Sequence, residues 1–476
     1  MSVEPRRFYV SGEWRAPSGP QADILEVRRP YDAVLMASVF LASQSDADQA
    51  IERGLEGFEK SRQLQSYERA DVLKSICSKL QDQKELFAEL ISDESGKPLR
   101  FARAEVERAA MTFELAAEEA KRIHGEVLPL DLAAHARDRM GIVRRYPVGL
   151  VLAISPFNFP LNLVAHKVAP AIAAGCSFIL KPPSQAPLTS LALAKVIEES
   201  GFPPSAFSVM PCRSSVAEGM VKDERIAAVS FTGSPGVGWA LKTKAGKKRV
   251  VLELGGNAGV IIDASADVDL AVKKCVVGAF GYSGQVCIKI QRFYVHESLY
   301  DRFLSQFVAA TRSIGVGDPR DERTVVGPVI DDEARDRILE WIDEAVAGGA
   351  KLVCGGAHSG RVIEPTVLEN VPPESRVFRL EVFGPVATFH RVRSIDEGVS
   401  GVNDSAYGLQ AAVFSSDLSN VLYAYRHLRV GGVIVNDSST FRVDSMPYGG
   451  LKDSGFGREG VRYAIEEMTE PKLLVL

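Results

Sequence analysis

The sequence predicts an α/β protein in which parallel sheets are covered by helices. Three observations carry that expectation. After residue 125, short apolar runs (GLVLAIS, CSFILKP, AAVSFTG, RVVLELGG and GVIIDA) are separated by helical stretches or turns, which is the pattern of strands buried on both faces of a sheet. A second α/β series follows over residues 266–435, with RFYVHE, KLVCGG and VIVND as strands. The chain has 476 residues, 46% hydrophobic and 25% charged. That is enough for a large core and, at roughly 150 residues each, about three structural units.

In chain order, residues 45–124 read as amphipathic helices. The first is capped by Ser45 or Asp46. The second runs through SYERADVLKSICSKLQDQKELFAELISDESG to Gly96, and the third starts at Pro98 and ends near Ile123. Their alternating charges predict a solvated face. Residues 137–146 are basic and β-like. After Gly449 the chain is glycine-rich, then helical, and ends in the apolar strand KLLVL. There is no internal repeat and no low-complexity linker.

Composition excludes several function classes. Lys and Arg total 56 against 61 Asp and Glu, a net charge of -5, so the basic excess of a dedicated nucleic-acid binder is missing. The basic cluster at residues 242–249 reads as a solvated helix end. The opening MSVEPRRFYVSGEW lacks the apolar core of a secretory signal. The apolar stretch 148–165 is interrupted by Pro156, Asn158, Pro160 and Asn162, so no bilayer span is expected. The expectation is a soluble cytoplasmic protein with no membrane and no nucleic-acid partner. Cys77, Cys176, Cys212, Cys275, Cys287 and Cys354 form no CxxC pair, and the seven histidines form no HExxH. Neither a metal site nor a disulfide framework is expected. Each thiol is then a buried hydrophobe or a nucleophile.

Four segments could carry chemistry. In GYSGQVCIK, Gly281 and Gly284 permit tight turns before Cys287, whose thiol is either an accessible nucleophile or a small buried hydrophobe. In VVLELGGN, Glu253 interrupts an apolar strand. Burial would raise its pKa and suit a general base, unless backbone amides satisfy it. In SPFNFP, Asn158 is a turn former or an oxyanion donor. In FTGSPGVG, a glycine turn between strand and helix can offer amides to a pyrophosphate, although it is not GxGxxG.

In order, SPFNFP, ILKPPSQ, FTGSPGVG, LELGG, GQVC, LEVFGPV and MPYGGLKDSGFGREG closely resemble the aldehyde dehydrogenase superfamily over essentially the whole chain. Glu253 and Cys287 are 34 residues apart, as in that family. The resemblance implies a Rossmann-type cofactor domain (residues 1–124 and 147–253), an α/β catalytic domain (254–435) and a β-arm (125–146 and 460–476). The arm would extend a neighbour's sheet in a homodimer or homotetramer.

The resemblance also implies NAD(P)-dependent oxidation of an aldehyde to the acid. By it, Cys287 is the nucleophile that forms a thiohemiacetal. The Asn158 amide and the Cys287 N–H form the oxyanion hole, and Glu253 activates water to hydrolyse the thioester. Lys167 and Glu459 relay protons. For the cofactor, Lys181 faces the adenine ribose, Gly233 and Ser234 face the pyrophosphate, and Glu381 holds the nicotinamide ribose with Phe383 beside it. Phe157 stands where many members have tryptophan. Ser184 stands where NAD-committed members often have glutamate. A hydroxyl does not repel a 2′-phosphate, so NADP is expected as well as NAD.

Asn162, His166 and Arg442 imply a small polar aldehyde of the lactaldehyde or glyceraldehyde type. Arg442 would pair with an anionic or hydroxylated substrate, or else form a surface salt bridge. Succinate-semialdehyde members usually carry arginines where this chain has His166 and Gly281. That substrate is one alternative, and a non-catalytic nucleotide-binding homologue is another. Acyl transfer to coenzyme A is opposed by Glu253, which members of that kind usually lack.

Overall fold

Two large sheets, each with its own apolar core, organise the chain. The computed structural model describes residues 4–18 and 22–476; positions 1–3 of the N-terminal unit expected above, and 19–21, lie outside the described residues. The first sheet has eight strands, in the order Glu13–Arg15, Phe8–Val10, Phe207–Val209, Ser177–Lys181, Leu150–Ile154, Ala228–Thr232, Arg249–Glu253 and Gly455–Phe456. Its five central strands are parallel. Every residue of Leu150–Ile154 and Ala228–Thr232 is buried. Each large aliphatic side chain there contributes roughly 1.5–3 kcal/mol of burial free energy. That is why runs such as LVLAI need no alternation of polar residues.

Strand order reverses at Leu150–Ile154: the chain proceeds first to one side, through Ser177–Lys181, and then to the other, through Ala228–Thr232. Open α/β sheets bind ligands beyond the strand C-termini at such a switch point. Asn158, Lys181, Ser234 and Glu253 all lie at or just after those ends.

The second sheet orders Lys351–Cys354, Thr366–Glu369, Val386–Val392, Ile290–His296, Ala258–Ile262, Gln410–Phe414 and Gly432–Val435. Only the first pairing is antiparallel. GVIIDA therefore belongs to this sheet. A third, three-stranded sheet pairs Met140–Pro147 with Glu126–Pro129 and with Thr469–Val475. The helix Val461–Glu467 precedes that last strand but packs on the first core through Val461 and Ile465.

Three helical expectations need correction. The first helix, Gln44–Ser61, is capped by Ser43. The Ser43 hydroxyl accepts the Asp46 N–H, and the Asp46 carboxylate accepts the Ser43 N–H at 2.8 Å. This is a capping box with Asp46 at its third position. The run to Gly96 breaks at Gln83 into Ser66–Asp82 and Lys84–Ser95. Gln83 sits at φ -105° and ψ 22° without glycine or proline, so no stop signal marks the break. The helix Leu99–Ala120 carries a buried Glu105 rather than a wholly solvated charged face.

Among the described residues no helix is long and apolar enough to cross a membrane, and no group of three or more His, Cys, Asp or Glu could hold a metal.

Candidate active site

Cys287 follows a tight turn built by backbone conformation. Tyr282 and Ser283 adopt φ of 54° and 57°, and Gly284 adopts 68°. Three successive left-handed residues reverse the chain between the helix Val268–Phe280 and the strand Ile290–His296. Only Gly284 of the two glycines needs its freedom: a Cβ there would lie 2.3 Å from the Gly384 carbonyl oxygen. Gly281 has an ordinary negative φ of -54°.

The turn leaves Cys287 half-buried beside a cavity of about 200 Å³. Lys97, Arg108, Phe159, Asn162, Arg442 and Tyr448 line it together with the thiol. All six cysteines are free thiols.

Packing brings the Glu253 and Asn158 segments to Cys287. After the strand Arg249–Glu253 the chain turns at Gly255 and Gly256, and a Cβ on Gly256 would lie 2.1 Å from the Cys287 carbonyl oxygen. Gly449 packs on Glu253 in the same way, its ideal Cβ 3.0 Å from Oε1. The next residue back, Tyr448, places its hydroxyl 3.1 Å from Cys287 Sγ. Asn158 is buried and donates from Nδ2 to the Gln285 carbonyl at 3.0 Å, two residues before the thiol. The loop that carries Asn158 is anchored by Glu105, which accepts the Leu161 and Asn162 N–H groups and pairs with the buried Lys97.

Two buried carboxylates behave oppositely. Burial, then the charge of Glu459, raises the Glu253 pKa well above the usual carboxylate value, and among the described residues neither Glu253 oxygen has a hydrogen-bond partner. Burial also pushes Glu459 upward, but Lys167, His166 and Arg442 more than offset it and hold Glu459 ionised. Lys167 Nζ donates to Glu459 at 3.0 Å, to Thr232 at 2.7 Å and to Ser230 at 3.1 Å. The Cys287 thiol is pushed up to about 12, mainly by burial.

The substrate-side residues named from sequence meet in one charge network. His166 Nε2 lies 2.8 Å from Asp444 Oδ1 and 3.2 Å from an Arg442 nitrogen. Asn162 contacts Asp444 at 3.4 Å. Arg442 is 7% exposed and reaches Glu459 at 3.3 Å, so it is not a surface salt bridge. Sequence reasoning missed Arg108, which grips Asp444 through two nitrogens at 2.6 and 3.2 Å. It also missed Asp444, Tyr448 and the Lys97–Glu105 pair. The one available signal was the MPYGG motif itself, which contains Tyr448.

The nucleotide-side residues fit a dinucleotide. Ser234 begins the helix Pro235–Lys244 without a side-chain cap bond. Among the described residues the Gly236 and Val237 N–H groups are open to an anion, since Pro235 has no N–H and the Gly238 N–H bonds the Ser234 carbonyl, and Pro235 suits the first helical position. A Cβ on Gly233 would lie 2.6 Å from the Phe231 ring. Lys181 ends its strand mostly buried, with its pKa lowered by burial, and its ammonium makes no ion pair among the described residues. Glu381 accepts the Gly256 N–H at 2.9 Å. Burial raises its carboxyl to about 7. Phe383, at φ 48°, packs edge to face on Phe157 with centroids 6.0 Å apart. Ser184 is exposed and lines a groove with Gln185, Arg28 and Asp331.

The sequence profile of the aldehyde dehydrogenase family matches residues 14–474. The chain is 43% identical over 475 residues to the 3-sulfolactaldehyde dehydrogenase of Priestia aryabhattai, covering 100% of this chain and 98% of that protein. It is similar in structure to aldehyde dehydrogenase 21 of Physcomitrella patens in complex with the reaction product succinate, with a TM-score of 0.97, 44% identity and coverage of 100% and 99%. It is also similar to the glyceraldehyde-3-phosphate dehydrogenase GapN of Methanocaldococcus jannaschii complexed with NADP, with a TM-score of 0.92, 38% identity and coverage of 96% and 100%. On the profile match and these full-length similarities, the chain belongs to the aldehyde dehydrogenase family.

Proposed function

We propose that this NAD(P)-dependent aldehyde dehydrogenase oxidises a short aldehyde that carries a terminal anion or hydroxyl group. The observation that carries the reading is the pair Arg108 and Arg442, which line the same small cavity as Cys287. A cavity of about 200 Å³ admits a few carbons. Beyond their pairings with Asp444 and Glu459, Arg108 keeps one terminal nitrogen and Arg442 its Nε, which has no partner among the described residues, so each offers a charge-assisted hydrogen bond to a carboxylate, sulfonate or phosphate. These cations come from the helix Leu99–Ala120 and from the loop before MPYGG. The lack of arginine at His166 and Gly281 therefore does not leave the cavity without positive charge. The relatives' names point the same way: sulfolactaldehyde, glyceraldehyde 3-phosphate and succinate are all short anions.

The chain's residues perform the chemistry in sequence. Cys287 gives up its proton to solvent, which leaves Glu253 free to act as the base in the later hydrolysis. The thiolate then attacks the aldehyde carbon, forming the C–S bond and moving the carbonyl pair onto oxygen. The Cys287 N–H and the Asn158 amide, turned from Gln285, hold that oxyanion. Losing one such donor costs on the order of 10²–10³-fold in rate. When bound, the nicotinamide ring supplies the hydride acceptor that leaves a thioester on Cys287. Glu253 next takes a proton from water as the water attacks the thioester, and the acid departs with the thiol restored. Lys167 and Glu459 pass the proton onward through their 3.0 Å contact.

Lys181, Gly233, Ser234, Glu381, Phe383 and Phe157 hold the dinucleotide, and Ser184 lets it carry a 2′-phosphate. The strand Thr469–Val475 with its partner Met140–Pro147 forms the arm of a homo-oligomer; its outer residues Leu473, Leu474 and Val475 are exposed apolar side chains. The test is NAD(P)H absorbance on a panel of aldehydes of similar length. Anionic aldehydes should exceed neutral propanal in kcat/KM by more than ~10-fold, the effect of one charge-assisted bond. Equal or reversed preference overturns the anionic reading.

A further inference from the structure

Tyr448 is 3% exposed, and among the described residues its hydroxyl has one hydrogen-bond partner, Cys287 Sγ at 3.1 Å. A buried hydroxyl without a partner is costly, so the sulfur is what satisfies this phenol. The Arg442 guanidinium lies 3.6 Å from the Tyr448 ring centroid. A cation over the ring draws electron density from it and strengthens the O–H as a donor. The geometry points to a catalytic function for Tyr448: its hydroxyl donates to the Cys287 thiolate and holds that anion ready until the C–S bond forms. This rests on the reading of Cys287 as the nucleophile.

The direction of donation follows from the charges. Burial raises the Tyr448 phenol well above its ordinary value, so it stays protonated when the sulfur is anionic and can only lend its hydrogen. Help of this kind is needed because burial pushes the thiol up to about 12. Glu381 and Glu253 also face Cys287 and disfavour its anion, whereas Arg442 and the Tyr448 hydroxyl favour it. Lys97, Glu105 and Arg108 complete the charged lining of the cavity. In attack, the sulfur's electron pair forms the bond to carbon. The carbonyl π pair moves to oxygen, and the neutral thiohemiacetal sulfur releases the Tyr448 hydroxyl with its proton still attached. No oxidant is consumed in this step.

The experiment is the pH profile of iodoacetamide alkylation at Cys287, measured by peptide mass spectrometry on the full-length enzyme without aldehyde or cofactor. Tyr448→Phe keeps the ring over Arg442 and removes only the hydroxyl. NADP binding, followed by fluorescence, reports that the variant is folded. A hydrogen bond to a charged group is worth roughly 1.5–3 kcal/mol. The alkylation midpoint should therefore rise by about one to two pH units, with ~10–100-fold slower alkylation near neutrality. A folded Tyr448→Phe with an unchanged midpoint overturns the proposal and leaves the nucleophile reading intact. A wild-type Cys287 that resists alkylation at every pH overturns both. A merely structural hydroxyl would alter stability without moving the midpoint.

Discussion

The two sides of Cys287 are built on different electrostatic plans. On the substrate side, the charges are already paired: Arg108 with Asp444, His166 with Asp444, Arg442 with Glu459, and Lys167 with Glu459. Within that network Arg442 Nε and His166 Nδ1 each lack a partner among the described residues, but on the nucleotide and water side whole groups are left over. Glu253 has two unpartnered oxygens, Glu381 accepts a single backbone amide, and Ser234 makes no cap bond. Paired buried charges hold a shape, because removing one member strands the other. Unpartnered buried groups destabilise the empty fold and are tolerated where a ligand or water will use them. The difference teaches where the enzyme is rigid and where it expects company.

The sharpest way to break this comparison is Glu253→Gln. General-base removal should lower turnover by ~10²–10³-fold, while a pre-steady-state burst of NAD(P)H survives because the thioester still forms. The pH profile gives a second sign. A carboxyl raised above its ordinary value is neutral below its folded pKa, and only the carboxylate accepts a proton from water. Wild-type turnover should therefore fall as pH drops through that raised value, and the limb should vanish in the variant. Stability should not suffer, since the lost charge had no partner. A Glu253→Gln enzyme with wild-type turnover would remove Glu253 from the mechanism.

Arg108→Gln tests the paired side and should do less to turnover of neutral substrates. It leaves Asp444 held by His166 at 2.8 Å and by Asn162 at 3.4 Å and deletes one cation from the cavity. For anionic aldehydes kcat/KM should fall ~10–100-fold, the worth of a hydrogen bond to a charged group. Propanal should change by less than ~3-fold on the same reasoning. A loss shared equally by both substrates would mean that Arg108 shapes the fold and does not meet the anion.

This contrast also separates what was legible in the sequence from what was not. Leu150–Ile154 and Arg249–Glu253 announced themselves because a strand buried on both faces is a continuous apolar run, and Glu253 stood out by interrupting one. Gln410–Phe414 (QAAVF) did not, because two alanines carry little strand preference. Phe207–Val209 is only three residues long. Arg108 and Glu105 were hidden by helical charge alternation, which looks solvated until the helix Asn162–Ala174 packs on it. The break at Gln83 carries no glycine or proline, so tertiary packing alone decides it. Tyr448 was visible within MPYGG, but its contact with Cys287 joins residues 161 apart in the chain, and no local pattern encodes such a contact.

The smallest expected effect concerns the open side. Ser184 is exposed at the rim of a groove and forms no hydrogen bond through its side chain among the described residues, so Ser184→Glu should cost little stability. A carboxylate there could accept both hydroxyls of an adenosine ribose and would repel a 2′-phosphate. With solvent screening, such a surface repulsion is worth about 1 kcal/mol or somewhat more. The ratio of kcat/KM for NADP over NAD should therefore drop by ~10-fold, through KM and with kcat nearly constant, and the drop should shrink in high salt. A ratio that does not move would place the 2′-phosphate elsewhere in the groove. The phosphates would then be held through Lys181 and Ser234 without a contribution from position 184.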